Sequence, residues 1–219
     1  MDLLIFDLDG TLIDSKLDLA QAVNATRVHM GMARLENELV YSYVGNGAPV
    51  LIRRALGAAA TEDQVQEALE FFLEFYREHY LDHTVLYPGV REALDRFHEL
   101  DKHMAVLTNK PVGISKAIVN GLGVGPHFFQ VYGGNSFDFK KPHPIGVQEL
   151  IRESGVPAER ALMIGDSSVD IQTALNAGIP SVGVTWGFQP ESLADPAPTR
   201  LAGTMQEVAD FILGPIGEK

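Results

Sequence analysis

There is no cysteine among the 219 residues, so a disulfide framework, a thiolate zinc site and a cysteine nucleophile are all excluded. That absence suits a reducing compartment, and a cytoplasmic location is the expectation. Positive charge is scarce: 17 Lys and Arg stand against 29 Asp and Glu, a formal charge of −12 with histidines neutral. A nucleic-acid or anionic-membrane surface is therefore not expected, and any anionic ligand must be held by local positive groups. The 7 histidines show no metal-ligand spacing and read as structural. Long apolar runs are missing as well. The two longest stretches without Asp, Glu, Lys or Arg, residues 117–137 and 171–190, are interrupted. Pro126, Gly133, Gly134, Asn135, Asn176, Pro180 and Gly183 break them, which makes them turns and buried strands rather than membrane spans. At the start, residues 3–6 follow Asp2 and end at Asp7, without the basic start or the length of a signal peptide's apolar core. No repeat, heptad seam or low-complexity tract occurs.

What remains is an ordinary globular composition, 46% hydrophobic and 21% charged. Short apolar runs at residues 3–6, 104–107 and 161–164 each stop at a polar or glycine residue, and weaker runs occupy 128–132 and 181–184. They are strand-length and too continuously apolar to have one solvated face, the mark of a buried parallel sheet. Helical segments lie between them, at 90–100 after Pro88-Gly89, 112–122 after Pro111, 144–154 after Pro142, and 168–177 closed by Gly178. The alternation predicts an α/β fold with a doubly wound parallel sheet.

Between the first two strands, residues 15–86 carry helical signals and no comparable strand signal. Val65, Leu69, Phe72, Tyr76 and Tyr80 recur at helical spacing, an apolar stripe that must pack against something. The prediction is an inserted helical cap domain at 15–86, with a core of residues 1–14 and 87–219; helices packed directly on the sheet are the alternative.

Asp7-Leu8-Asp9-Gly10-Thr11 closes the first apolar run. Extended backbone sends the carboxylates of Asp7 and Asp9 to one side, and a close like-charged pair holds a cation or keeps one member protonated. Taken alone, the pair reads equally as a solvated strand end before a glycine turn. Thr108, Lys141 and Asp166 also lie at or just beyond strand ends, where ligand sites of doubly wound sheets form. Gly165-Asp166-Ser167-Ser168 leads into a helix with Asp170 in its first turn, a position that also suits simple N-capping.

The ordered set DLDGT, LTNKP, KKPHP and GDSSVDI with AGIPSVGVTWG resembles the haloacid dehalogenase superfamily of phosphohydrolases along nearly the whole chain. Within it, Gly45-Asn46-Gly47-Ala48 with Arg54-Ala55-Leu56 is similar to phosphoglycolate phosphatases. The resemblance implies that Asp7 is a nucleophile forming an aspartyl-phosphate and that Asp9 is the general acid and base. It implies Mg²⁺ held by the side chains of Asp7 and Asp166 and the carbonyl of Asp9, with Asp170 in support. Thr108 and Lys141 would grip the phosphoryl oxygens, with Gly10, Thr11, Asn109 and Lys110 as further substrate contacts. The cap would add Gly45, Asn46 and Gly47, with Arg54 or the N-terminal amides of the adjoining helix as the partner of a substrate carboxylate. The partner is expected to be a small phosphorylated metabolite, 2-phosphoglycolate first. Other sugar phosphates, pyrophosphate and a phosphoglucomutase-like isomerisation are the alternatives. A non-catalytic phosphate-binding role finds little support beside intact Asp7, Asp9, Lys141 and Asp166, and a monomer or homodimer is expected. Asp9 counts against the superfamily's dehalogenases and phosphonate hydrolases, which lack that acid/base residue.

Overall fold

A strand whose two neighbours are also strands, with helices on both faces, has no room for a polar side chain along its length. Leu3–Phe6 (β1) meets that condition, all four residues being buried. The computed structural model describes residues 1–214. After β1 come a two-residue strand Ile13–Asp14 (β2) and four helices, Lys16–His29 (α1), Asn37–Tyr41 (α2), Ala48–Leu56 (α3) and Glu62–His79 (α4). A second two-residue strand Val85–Leu86 (β3) precedes Val90–Glu99 (α5), His103–Leu107 (β4), Val112–Gly121 (α6) and Gln130–Tyr132 (β5). Then follow Ile145–Ser154 (α7), Ala161–Gly165 (β6), Ser168–Ala177 (α8), Ser181–Val184 (β7), Arg200–Ala202 (β8) and Met205–Leu213 (α9).

The main sheet runs β5-β4-β1-β6-β7-β8 with every pairing parallel. Period-two alternation divides its side chains: Leu4, Phe6, Met104, Val106, Leu162 and Ile164 join α5, α6 and α9 on one face. Leu3, Ile5, Ala105, Leu107, Ala161 and Met163 join α7 and α8 on the other. This is the α/β doubly wound sheet. Because β1 lies between β4 and β6, the chain leaves it in one direction and returns on both sides, and a crevice opens at the carboxyl ends of these three strands.

Three departures from the sequence pattern have local causes. β5 begins at Gln130, not Phe128, because Pro126 sits in a 3₁₀ turn over Gly125–His127 that Phe128 caps. β8 and α9 extend the sheet beyond the predicted strands; β8 is an edge strand that buries only Ala202 and so has no apolar run to read. β2 and β3 pair antiparallel, Ile13 opposite Leu86, where the chain enters and leaves the helical segment.

That segment holds α1 to α4. Thr61 caps α4 with a reciprocal capping box to Gln64, and the stripe along the helix buries Val65, Ala68, Phe72 and Tyr76, with Leu69 and Tyr80 partly covered. The buried Asp18 of α1 accepts hydrogen bonds from the Thr84 N–H at 2.8 Å and its hydroxyl at 2.7 Å. It also accepts from the His83 N–H at 3.0 Å, so α1 is tied to the returning strand. No helix among the described residues is long and apolar enough to cross a membrane.

Candidate active site

Each strand that ends at the crevice delivers a polar residue there. Asp7 follows β1, Thr108 follows β4, and Asp166 follows β6. Beyond Asp7 the chain turns tightly, with Gly10 at φ +83°, and a Cβ on Gly10 would lie 2.2 Å from Asp166 Oδ2. Only glycine permits both that backbone and that approach.

Asp7, Asp166 and Asp170 each offer an oxygen within 4.8 Å of the others, and all three are buried. Lys141 reaches them from the loop before α7, its Nζ 2.8 Å from Asp7 Oδ1 and 2.6 Å from Asp170 Oδ1. Its neighbour Lys140 points elsewhere, donating to the carbonyl of Asn46. Asp170 Oδ2 accepts from the Ser167 hydroxyl at 2.7 Å and N–H at 3.1 Å, so Asp170 caps α8 and braces Lys141 together. Asp166 Oδ2 accepts from the Phe188 N–H at 2.6 Å.

Three buried carboxylates facing one ammonium leave negative charge in excess. Burial pushes the Asp7 carboxyl up to about 6 against the pull of Lys141, with Asp170 adding to the rise. Asp166 is raised well above the usual carboxylate range by burial, then by Asp170 and Asp7. Asp7 Oδ1 accepts no well-directed hydrogen bond despite its ion pair. All donors are oxygen, the preference of a hard divalent cation, so the residues fit Mg²⁺. The sign of the pH effect follows. A raised folded-state pKa means the native protein holds the proton more tightly than the unfolded chain. Asp7 therefore favours the fold at low pH and loses that contribution between its ordinary value of 3.8 and about 6. Mg²⁺ competes with that proton, so it is expected to raise the melting temperature several degrees at pH 7.5 and much less at pH 5. Equal shifts at both pH values in a thermal melt would contradict the assignment of these carboxylates.

Asp9 lies apart from the cluster. Lys110 Nζ donates to both its oxygens at 3.0 Å, and the Ser15 hydroxyl donates to Oδ1. Lys110 is buried beneath the ring of Tyr76, 4.6 Å from its centroid. Asp9 and Tyr76 together hold Lys110 above its ordinary pKa although burial opposes them, so it stays an ammonium. The Tyr76 hydroxyl is pushed up to about 12 by burial, which keeps it protonated.

A cleft of about 670 Å³ opens between the strand ends and the helical segment. Asp7, Asp9, Thr108, Asn109, Lys110 and Asp166 form its polar side, and Leu19, Leu51, Phe72, Leu73, Ile114 and Phe188 its apolar side. The Thr108 hydroxyl accepts from the Lys110 N–H at 3.2 Å. Thr11 is buried just behind the site, its hydroxyl without a partner among the described residues, and its carbonyl accepts from the Trp186 indole at 3.2 Å.

The loop before α3 is gripped at consecutive carbonyls: Val44 by Gln189, Gly45 by Asn109 at 3.2 Å, and Asn46 by Lys140. Gly45 and Gly47 line the cleft, whereas Asn46 takes part through its carbonyl. Gly47 has φ +87° and packs against the Asn109 carbonyl. Arg54 is placed otherwise than its role as a carboxylate partner requires. α3 buries Leu51, Ile52, Ala55 and Leu56, which turns Arg54 to solvent, where it donates to the Tyr43 carbonyl at 3.0 Å. Ser15, Tyr76, Phe188 and Gln189 enter the site without a motif; Tyr76 carried no signal beyond its place in the α4 stripe.

The chain matches the model of haloacid dehalogenase-like hydrolases over residues 4–184. It belongs to that family. This haloacid dehalogenase-like hydrolase is 40% identical over 193 residues to a phosphoglycolate phosphatase of Colwellia psychrerythraea, covering 85% of each chain. It is 39% identical over 217 residues to the phosphoglycolate phosphatase of Vibrio parahaemolyticus, covering 96% of this chain and 95% of that one. Among solved structures, a predicted phosphoglycolate phosphatase from Haemophilus somnus superposes with a TM-score of 0.91 at 31% identity. That match covers 96% of this chain and 97% of the other. The hydrolase is accordingly an enzyme of the phosphoric monoester hydrolase class.

Proposed function

We propose that the enzyme hydrolyses 2-phosphoglycolate to glycolate and phosphate, with Mg²⁺ as cofactor and Asp7 as nucleophile. The observation that carries this reading is the division of carboxylates. Asp7 stands in the buried cluster beside Lys141, while Asp9 stands apart in the same cleft, held by Lys110 and Ser15. The relatives named phosphoglycolate phosphatase, matched along 85% and 95% of their lengths, support the substrate.

In the first step an Asp7 oxygen attacks phosphorus and the bond from phosphorus to the glycolate oxygen breaks, while Asp9 gives that oxygen its proton. In the second step Asp9 takes a proton from water as the water oxygen attacks phosphorus. The bond between phosphorus and Asp7 breaks, and Asp9 is again protonated. Lys141 offsets the repulsion between the anionic nucleophile and the phosphate, and Thr108, at the end of β4, is the second phosphoryl contact. The side chains of Asp7 and Asp166 and the Asp9 carbonyl would hold Mg²⁺, with Asp170 in support. When bound it supplies positive charge toward the phosphoryl oxygens. Residues 15–86 act as the cap over a core of 1–14 and 87–219, and the carbonyl-gripped loop seats the cap on the core.

Asp9→Asn tests the two-step route. The variant cannot activate water, so acid quenching after mixing with substrate and Mg²⁺ is expected to trap a phosphoryl group on the peptide bearing Asp7. Mass spectrometry reads the adduct, and its absence, or its presence on a different residue, would rule out Asp7 as nucleophile.

A further inference from the structure

With Arg54 turned to solvent, Lys110 is the one basic side chain that lines the cleft among the described residues. An ammonium carries three N–H donors. Its Nζ lies 3.0 Å from both oxygens of Asp9 and also meets the Tyr76 hydroxyl. Beside it stands Tyr76, 1% exposed, whose hydroxyl oxygen meets the Lys110 ammonium and whose own O–H has no acceptor among the described residues. A buried O–H without an acceptor carries a free-energy cost that a ligand can relieve. Its ring is fixed independently of the hydroxyl, stacked on Phe72 with centroids 5.6 Å apart and resting over Lys110. The two donors adjoin Asp9, the residue assigned to the leaving oxygen. In 2-phosphoglycolate the carboxylate is separated from that oxygen by a single methylene, so a group that recognises it must lie next to the acid/base residue. Lys110 and Tyr76 occupy that place, and Arg54 does not.

We propose that the Lys110 ammonium and the O–H of Tyr76 form the recognition site for the carboxylate of the leaving group, with Tyr76 as a specificity-determining residue contributed by α4. The inference rests on the phosphoglycolate reading and deepens it. A donor pair at this place selects esters of short 2-hydroxy acids over esters of simple alcohols, because an alkyl group would leave the O–H without an acceptor. The apolar side of the cleft, with Leu51, Phe72 and Ile114, offers no competing donor to a carboxylate.

The test compares Tyr76→Phe with the unaltered enzyme on 2-phosphoglycolate and on ethyl phosphate, which keeps the chain length and lacks the carboxylate. The substitution preserves the ring, its stacking on Phe72 and its contact with Lys110. Losing a hydrogen bond to a charged group predicts a fall of about ten- to hundredfold in kcat/KM for 2-phosphoglycolate. For ethyl phosphate a change of less than about twofold is expected. Calorimetric binding of 3-phosphonopropionate, the non-hydrolysable isostere, against propylphosphonate should show the same selective loss without turnover. Equal losses on both esters, or none on 2-phosphoglycolate, would overturn the role of Tyr76 while leaving the phosphoglycolate reading intact. An unaltered enzyme with no preference for 2-phosphoglycolate over ethyl phosphate would overturn both.

Discussion

Asp7→Asn is expected to reduce phosphate release by at least ~10⁴-fold, since the amide cannot attack phosphorus and no second group in the cleft takes its place. The fold should survive. Asp7 is one of three buried carboxylates facing a single ammonium, and its carboxyl is raised to about 6, so at neutral pH its ionised form opposes folding in the metal-free protein. Lys141 keeps its 2.6 Å partner Asp170 in the variant. The melting temperature in EDTA at pH 7.5 is therefore expected to be no lower than that of the unaltered enzyme, while the stabilisation by Mg²⁺ shrinks. A variant that retained turnover, or that unfolded in EDTA, would contradict the division of roles.

Lys141→Met has the opposite signature. It removes the ammonium from between Asp7 and Asp170, both buried, and leaves their charges uncompensated. Breaking a buried ion pair by deleting one partner costs about 3–5 kcal/mol. In a chain of this size that is roughly 6–20 °C in melting temperature, measured in EDTA at pH 7.5. The loss should be smaller near pH 5, where Asp7 takes up a proton, and Mg²⁺ should restore part of the stability without restoring activity. Lys140→Met, which removes only a bond to the Asn46 carbonyl, is the control and should leave the melting temperature nearly unchanged. Equal destabilisation by the two substitutions would show that the buried ion pair is not what holds this end of the sheet.

The central strands were legible because a parallel strand buried on both faces must be apolar throughout and stop where the chain reaches water or a ligand. β1, β4 and β6 end at Asp7, Thr108 and Asp166 for that reason. The same logic hides β8, an edge strand burying one residue of three, and the two-residue pair β2 and β3, too short for any periodicity. In the site, Asp7 and Asp166 were marked by their strand-end positions, whereas Lys141 lies in the loop well beyond β5, not at a strand end, and was marked by the KKPHP motif. The cap's contribution depends on how helices approach a surface distant in sequence. Arg54 carried a charge that suited a carboxylate, yet the apolar positions at 51, 52, 55 and 56 already place it on the outer face of α3. Tyr76 is the reverse case: its ring belongs to the apolar stripe, and only the fold shows its hydroxyl facing Lys110 with no acceptor for its own proton among the described residues.

The most direct test of the account is phosphate release from a panel of 2-phosphoglycolate, ethyl phosphate, sugar phosphates and pyrophosphate, each with Mg²⁺ and with EDTA. The account predicts that 2-phosphoglycolate gives the highest kcat/KM, by about tenfold or more over the other esters, and that EDTA abolishes release. A flat profile across the panel, or interconversion of glucose phosphates without release, would contradict it.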